Sequence, residues 1–198
     1  MAATMNEDLG RRERKKQQTR DELIAAAAKL FAERGFDETT TADIADAADV
    51  SQRTFFRHFS SKEAVLYGND EELADAFYDA IMARPARETP VTAVSAALGM
   101  LAGQYAASPE RTFLQGQLAA RYPSVSAYSR AVVQRGLERK VVEAVAQRMG
   151  VDPLDDPQPE VIAGAAMSAL RFALRKWVAS NGTLDLLDLA AKALTSLR

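Results

Sequence analysis

Thr40, Ser51 and Ser60 stand about ten residues apart, and each precedes a short stretch of helix-periodic apolar residues that it can cap. Thr40 with Asp43 has capping-box spacing, and Ser60 with Glu63 repeats it. The helices begun at Thr40 and Ser51 have room for about two turns each, and helices that short do not persist alone in water. They must pack on one another and on a longer neighbour. That neighbour precedes them: Leu23, Ala27, Leu30 and Phe31 share one helical face, and Gly35 ends it as a left-handed cap. Ile44, Ala45 and Ala48 are the inward positions of the second helix. Ala48-Asp49-Val50 joins it to the third in helix-turn-helix geometry, with Val50 plugging the angle. Phe55 and Phe59, at i, i+4 spacing, pin the third helix onto the first.

The remainder also reads as helix, with no window of period-2 alternation. A fourth helix runs from Ser60 with stripe Leu66, Leu73, Phe77 and Ile81, and Pro85 ends it. Thr89-Pro90 and Ser108-Pro109 each set a cap before a proline suited to a first turn. A long helix is expected from about Val125 to Met149, closed by Gly150, and a loop spans Asp152 to Pro159. Two helices follow, about Glu160 to Ser180 and Leu184 to Leu197, separated by Asn181-Gly182 with Thr183 as cap. The expected fold class is all-α.

Composition removes several function classes. The 198 residues include no cysteine and one histidine, His58, so disulfides, cysteine nucleophiles and zinc sites have no raw material; no metal and no cofactor are expected. There is no HExxH, glycine-rich phosphate loop or GxSxG, and no enzyme is expected. No apolar run approaches the roughly 20 residues of a membrane span, and the N-terminus has no signal-peptide pattern, so a cytoplasmic protein without membrane association is expected. The net charge of −2 hides a segregation. Arg11, Arg12, Arg14, Lys15, Lys16 and Arg20 crowd the N-terminus, and no acid stands between Ser51 and Lys62, a stretch holding Arg53 and Arg57. Local field, not net charge, decides affinity for DNA. The outward face of the third helix offers Gln52, Arg53, Thr54, Arg57 and His58, long donors and acceptors able to reach base edges or phosphates in a major groove. A protein-only adaptor has no use for such a face.

Thr39 to Leu66, TTTADIADAADVSQRTFFRHFSSKEAVL, resembles the DNA-binding signature of TetR-family regulators. The match extends over about residues 17 to 66; beyond it the chain is similar to the family only in number and order of helices. The resemblance implies a double-stranded DNA operator as partner. It implies base or phosphate contacts for Gln52, Arg53 and Thr54, and phosphate contacts for Thr41, His58 and Lys62. Phe56 stands where the family usually has tyrosine, so a hydroxyl contact is missing while the ring can still pack on the backbone. Arg53, where a small or neutral residue is common, is a candidate for bidentate pairing with guanine, worth roughly 1–3 kcal/mol of discrimination. The arm from Arg11 to Lys16 is compatible both with plain solvation and with sequence-independent grip through counterion release.

The expected organisation is a basic flexible arm over 1–16, a three-helix helix-turn-helix domain over 17–62, and a larger ligand-binding and dimerisation domain over 63–198. The helix from Glu160 is apolar on most of its circumference, and Gly164, Ala165, Ala166, Ala169 and Ala173 admit close approach of another backbone. With the last helix it forms the expected homodimer interface, the alternative being a monomer core. Two recognition helices about 34–36 Å apart then read a palindromic operator. The resemblance further implies a pocket for a small-molecule effector, an acyl thioester or a hydrophobic compound, whose binding releases the DNA, and repression as the sign of regulation. Candidate lining residues are Phe77, Met100, Tyr105, Phe113, Gln117, Tyr128, Met167 and Arg171. Gln117, Tyr128 and Arg171 are the better candidates, because a polar group on a buried face needs a partner.

Overall fold

The computed structural model describes residues 2–68 and 70–195, with side chains over 14–68 and 70–194. The side chains of Arg11 and Arg12, and Leu197 of the expected last stripe, lie outside the described residues. Within them the chain forms eleven α-helices and one π-helical stretch, with no strand. It divides into two compact units, Met1–Gly68 and Asn69–Arg198.

The first unit holds α1 (Ala2–Arg34), α2 (Thr41–Ala47), α3 (Gln52–His58) and α4 (Lys62–Tyr67). The segment read as a flexible arm carries helical backbone from Ala2 onward, and no proline occurs before Pro85 to break it. α1 packs against α2 and α4, and α2 against α3. Leu23, Ala27, Leu30 and Phe31 of α1 are buried with Phe36, Ile44, Phe55, Phe59, Val65 and Leu66. Each large apolar side chain so buried contributes roughly 1.5–3 kcal/mol, which is what holds seven-residue helices in place. The Phe31 and Phe36 rings lie 5.0 Å apart, and Phe55 and Phe59 5.9 Å.

The helix expected from Ser60 to Pro85 is two helices. Gly68, at φ +62°, closes α4, and a second helix starts at Asp70 with Asp70, Glu71 and Glu72 in its first turn, where acids suit the positive end. Because α4 packs on α1, the boundary between the units falls at Gly68 and not at residue 62. The cap of α4 is Ser61, not Ser60: its Oγ accepts from Ala64 N–H at 3.2 Å.

The second unit holds α5 (Asp70–Met82), α6 (Pro90–Ala107), α7 (Pro109–Arg121), α8 (Pro123–Tyr128), α9 (Arg135–Met149), α10 (Gln158–Ala179) and α11 (Leu186–Thr195). The long helix expected over 125–149 is α8 and α9 joined through a π-helical stretch, Ser129–Gln134, whose wider turns interrupt the α ladder. α6 is the centre, packed by α5, α7, α9, α10 and α11, and it buries Ala93, Val94, Ala97, Leu98, Leu101 and Ala102. Arg148 of α9 ties down the end of α5 and the loop after it, donating to the carbonyls of Ile81, Arg84, Pro85 and Glu88 at 2.8–3.3 Å. Asp185 caps α11 in place of the expected Thr183. Its Oδ1 accepts from Leu187 N–H at 2.8 Å and Asp188 N–H at 3.1 Å, while Thr183 Oγ1 donates back to Ser180 O. No helix among the described residues is long and apolar enough to cross a membrane.

Candidate nucleic-acid interface

The turn between α2 and α3 is a Schellman motif. Val50 N–H reaches Ala45 O at 3.0 Å and Asp49 N–H reaches Asp46 O at 3.1 Å, which requires Asp49 to take φ +53°. At the other end of α2 the capping box is complete: Thr40 Oγ1 accepts from Asp43 N–H, and Asp43 accepts from Thr40 N–H at 2.8 Å. The Thr40 hydroxyl, then the Thr40 N–H, hold the Asp43 carboxyl below its usual pKa, and Arg34, 4.0 Å away, adds to the effect. Ser51 caps α3 by accepting from Thr54 N–H at 3.1 Å. Both short helices are thus fixed at their starts by their own sequence.

With Phe55 wholly buried and Phe59 nearly so, the opposite face of α3 is turned outward. Gln52, Arg53 and Arg57 are exposed, and Thr54 is half-buried. Phe56 is 52% exposed, its ring edge-on to Phe55 at 5.4 Å. Phe56 thus adds an exposed apolar ring to this face. Among the described residues no carboxylate pairs with Arg53 or Arg57. Thr41, at the start of α2, joins this face because Gln52 Nε2 donates to its Oγ1 at 3.0 Å. Arg14, Lys15 and Lys16 are exposed on α1.

Two cations of the sequence reading turn inward. Lys62 Nζ donates to Phe36 O at 2.7 Å and Thr39 O at 3.1 Å, with Asp37 O at 3.5 Å, and sits 4.4 Å over the Phe36 ring. An ammonium has three N–H donors, and Lys62 directs them to carbonyls of the α1–α2 loop, so it closes that loop. Arg20 stacks over Phe59 at 4.7 Å and donates to His58 O, at the end of α3, and to Gly68 O, at the end of α4. It is a structural clamp, not part of the basic surface. The signal was in the sequence: Arg20 lies three residues before Leu23, on the buried stripe of α1. His58 is half-buried, its Nε2 without a hydrogen-bond partner. Burial first, then the charges of Arg57, Arg20 and Lys16, push its pKa below 6.5.

The second unit does not gather the eight expected lining residues. Phe77 and Met167 are core, Met100, Tyr105 and Tyr128 are half-buried, and Gln117 and Arg171 are exposed, Arg171 bonded to Ser168 Oγ at 2.8 Å. Phe113 alone of the eight lines a cleft of about 440 Å³, with Gly103, Trp177, Gly182 and Leu187 among its other walls. Phe113 and Trp177 stack there at 4.7 Å and 14°. The missed wall is the Asn181–Gly182 turn. Asn181 at φ +50° and Gly182 at φ +77° make a second Schellman motif, through Gly182 N–H to Trp177 O and Asn181 N–H to Val178 O.

A capped helix-turn-helix with an exposed basic and aromatic face, joined in one chain to a larger helical unit, has the make-up of a DNA-binding regulator. Comparison with known proteins agrees. Residues 23–67 match the family of bacterial regulatory proteins of tetR type, and residues 88–198 match the MftR C-terminal domain. The HTH-type transcriptional regulator TcmR of Streptomyces glaucescens is 36% identical over 96% of this chain and 87% of its own length. The HTH-type transcriptional repressor KstR2 of Mycobacterium tuberculosis is 43% identical over 33% of this chain and 30% of its own. Among solved structures, Thermus thermophilus FadR, a TetR-family repressor in complex with lauroyl-CoA, aligns with a TM-score of 0.61 at 26% identity, over 90% of this chain and 92% of that one. The chain belongs to the TetR family and is a helix-turn-helix transcriptional regulator.

Proposed function

We propose that this regulator binds a palindromic operator as a homodimer, represses from it, and leaves it when a small amphipathic effector binds the second unit. Met1–Gly68 is the DNA-binding head in this reading and Asn69–Arg198 the sensory and dimerising body. The observation that carries it is the outward face of α3, where Gln52, Arg53, Phe56 and Arg57 are exposed around a fully built core. Arg53 and Gln52 read bases; Thr41, Thr54, Phe56, Arg57 and His58 hold the sugar-phosphate backbone.

The dimer forms through α10 and α11. Val161 (66% exposed) and Phe172 (36%) share a face of α10 with Gly164 and Ala165, leaving an apolar surface for the same helices of a second copy. The cleft beside Phe113 and Trp177 is the candidate effector site, with apolar walls and Asp185 and Asn181 at its rim. Lauroyl-CoA on the FadR relative supports an acyl thioester as the class to try first. The reading assigns the protein to the cytoplasm, where its operator is, and gives it no catalytic role.

Sedimentation of the full chain with and without a labelled duplex from its own upstream region tests this reading. It predicts a dimer that binds one duplex, at an affinity that falls steeply with salt, survives excess scrambled competitor and is lost on adding an acyl thioester. A monomer, or equal binding to scrambled and upstream duplex after random-sequence selection also enriches nothing, contradicts it.

A further inference from the structure

Thr41 and Gln52 open α2 and α3, and their side chains meet at 3.0 Å with the glutamine as donor. We infer that Thr41 is a positioning residue that makes Gln52 an adenine reader while itself donating to a phosphate. The inference rests on the DNA-binding reading above and names what one part of that face recognises.

A carboxamide has two N–H donors on nitrogen and an acceptor oxygen. With one N–H held by Thr41, Gln52 presents outward one N–H beside Oε1. Adenine's major-groove edge offers the complement, N7 to accept and N6–H to donate. Guanine offers two acceptors, N7 and O6, so Oε1 would face a carbonyl oxygen. An unrestrained glutamine can swing its amide to aim both N–H groups at guanine N7 and O6; the bond to Thr41 engages one of them and removes that freedom.

The direction of the bond follows from what else the hydroxyl meets. A phosphate oxygen only accepts, so a Thr41 hydroxyl on a phosphate spends its one proton there and keeps lone pairs alone for Gln52. Neighbouring hydroxyls do not compete, since Ser51 and Thr54 are bonded to each other at 3.0 Å and Thr40 to Asp43 at 2.6 Å. Phosphate, Thr41, Gln52 and adenine thus form one chain of hydrogen bonds. Gln52 enters the groove with its rotamer already held, which lowers the ordering cost of binding.

The test is random-sequence selection with the full-length protein, its Thr41→Val, Thr41→Ser and Gln52→Ala variants, each first checked by thermal melting, with Thr41→Ala as substitute should Thr41→Val not fold. The wild type is expected to select one position per half-site at which adenine is preferred by about tenfold or more. Gln52→Ala erases that preference and no other. Thr41→Val weakens it at the same position, to within about threefold of no preference, and also lowers affinity for every sequence. Thr41→Ser keeps both. An adenine preference that survives Thr41→Val, or a selected site in which no adenine depends on Gln52, overturns the inference while leaving the regulator intact. A wild-type selection that enriches nothing overturns the DNA-binding reading itself.

Discussion

Lys62 Nζ lies 2.7 Å from Phe36 O, so a cation at the start of α4 closes the loop that leads from α1 into α2. The contact spans 26 residues of sequence and sets where α2 begins. It also separates two roles that a lysine beside a DNA-binding face can have.

Replacing Lys62 with Met keeps the stem over Phe36 and leaves three carbonyls without their donor. The expected loss is about 1–3 kcal/mol of stability, read by denaturant unfolding of the full chain. The slope of log affinity against log salt stays as in the wild type, whereas loss of a phosphate contact reduces its magnitude by about one.

Asp49 sits at φ +53° because the Schellman turn leaves it no alternative. Asp49→Gly removes the Cβ clash of the left-handed conformation, offset in part by glycine's greater chain entropy. A gain of about 0.5–1 kcal/mol is expected with unchanged DNA affinity. A loss of stability means that the aspartate side chain supports the turn.

His58 is the one histidine of the chain, so its imidazole resonances are unambiguous. Its folded pKa is below 6.5, chiefly through burial and then through Arg57, Arg20 and Lys16. Below pH 6.5 the unfolded chain takes up a proton that the folded chain refuses. Stability is therefore undiminished above that value and is lost as pH falls through the folded pKa. The same pH scan of His58→Gln lacks this component. A phosphate placed beside the ring raises the pKa, so adding operator duplex shifts the titration upward; an unmoved titration removes His58 from the phosphate contacts.

Gly182 combines φ +77° with a position whose Cβ would stand 3.0 Å from Phe113 Cζ. Gly182→Ala is expected to cost about 1–2 kcal/mol for the backbone, with further strain at the Phe113–Trp177 stack. Trp177 is the one tryptophan of the chain, so its fluorescence reports the displacement directly. An unchanged emission spectrum and melting temperature contradict this.

What the sequence revealed and what it hid divide by range. Thr40 with Asp43, Ser51, and the Ala48-Asp49-Val50 turn were legible because a cap or a tight turn is decided within a few residues. The inward-pointing pair Phe55 and Phe59 was legible because helical spacing states it. The break at Gly68 was hidden by an apolar stripe that continues in phase across it, from Leu66 to Leu73. Ser60 and Ser61 compete for one cap, and local spacing does not choose between them. Lys62 was read as surface charge because its carbonyl partners, on Phe36 and Thr39, are adjacent to it only after α4 packs on α1. The lining residues fared worst: the helical pattern shows that Gln117 and Arg171 lie on helices, not which face of those helices is covered.

The most direct test of the central claim, that the outer face of α3 reads sequence, is fluorescence anisotropy of a selected operator duplex with wild type and with an Arg53→Gln, Arg57→Gln double variant. Both side chains are exposed, so the variant should melt and sediment like the wild type. Loss of about a hundredfold or more in affinity for the operator is the predicted result, with a smaller loss for scrambled duplex from the Arg57 phosphate contact alone. Equal affinity of the two proteins for the operator would contradict the account.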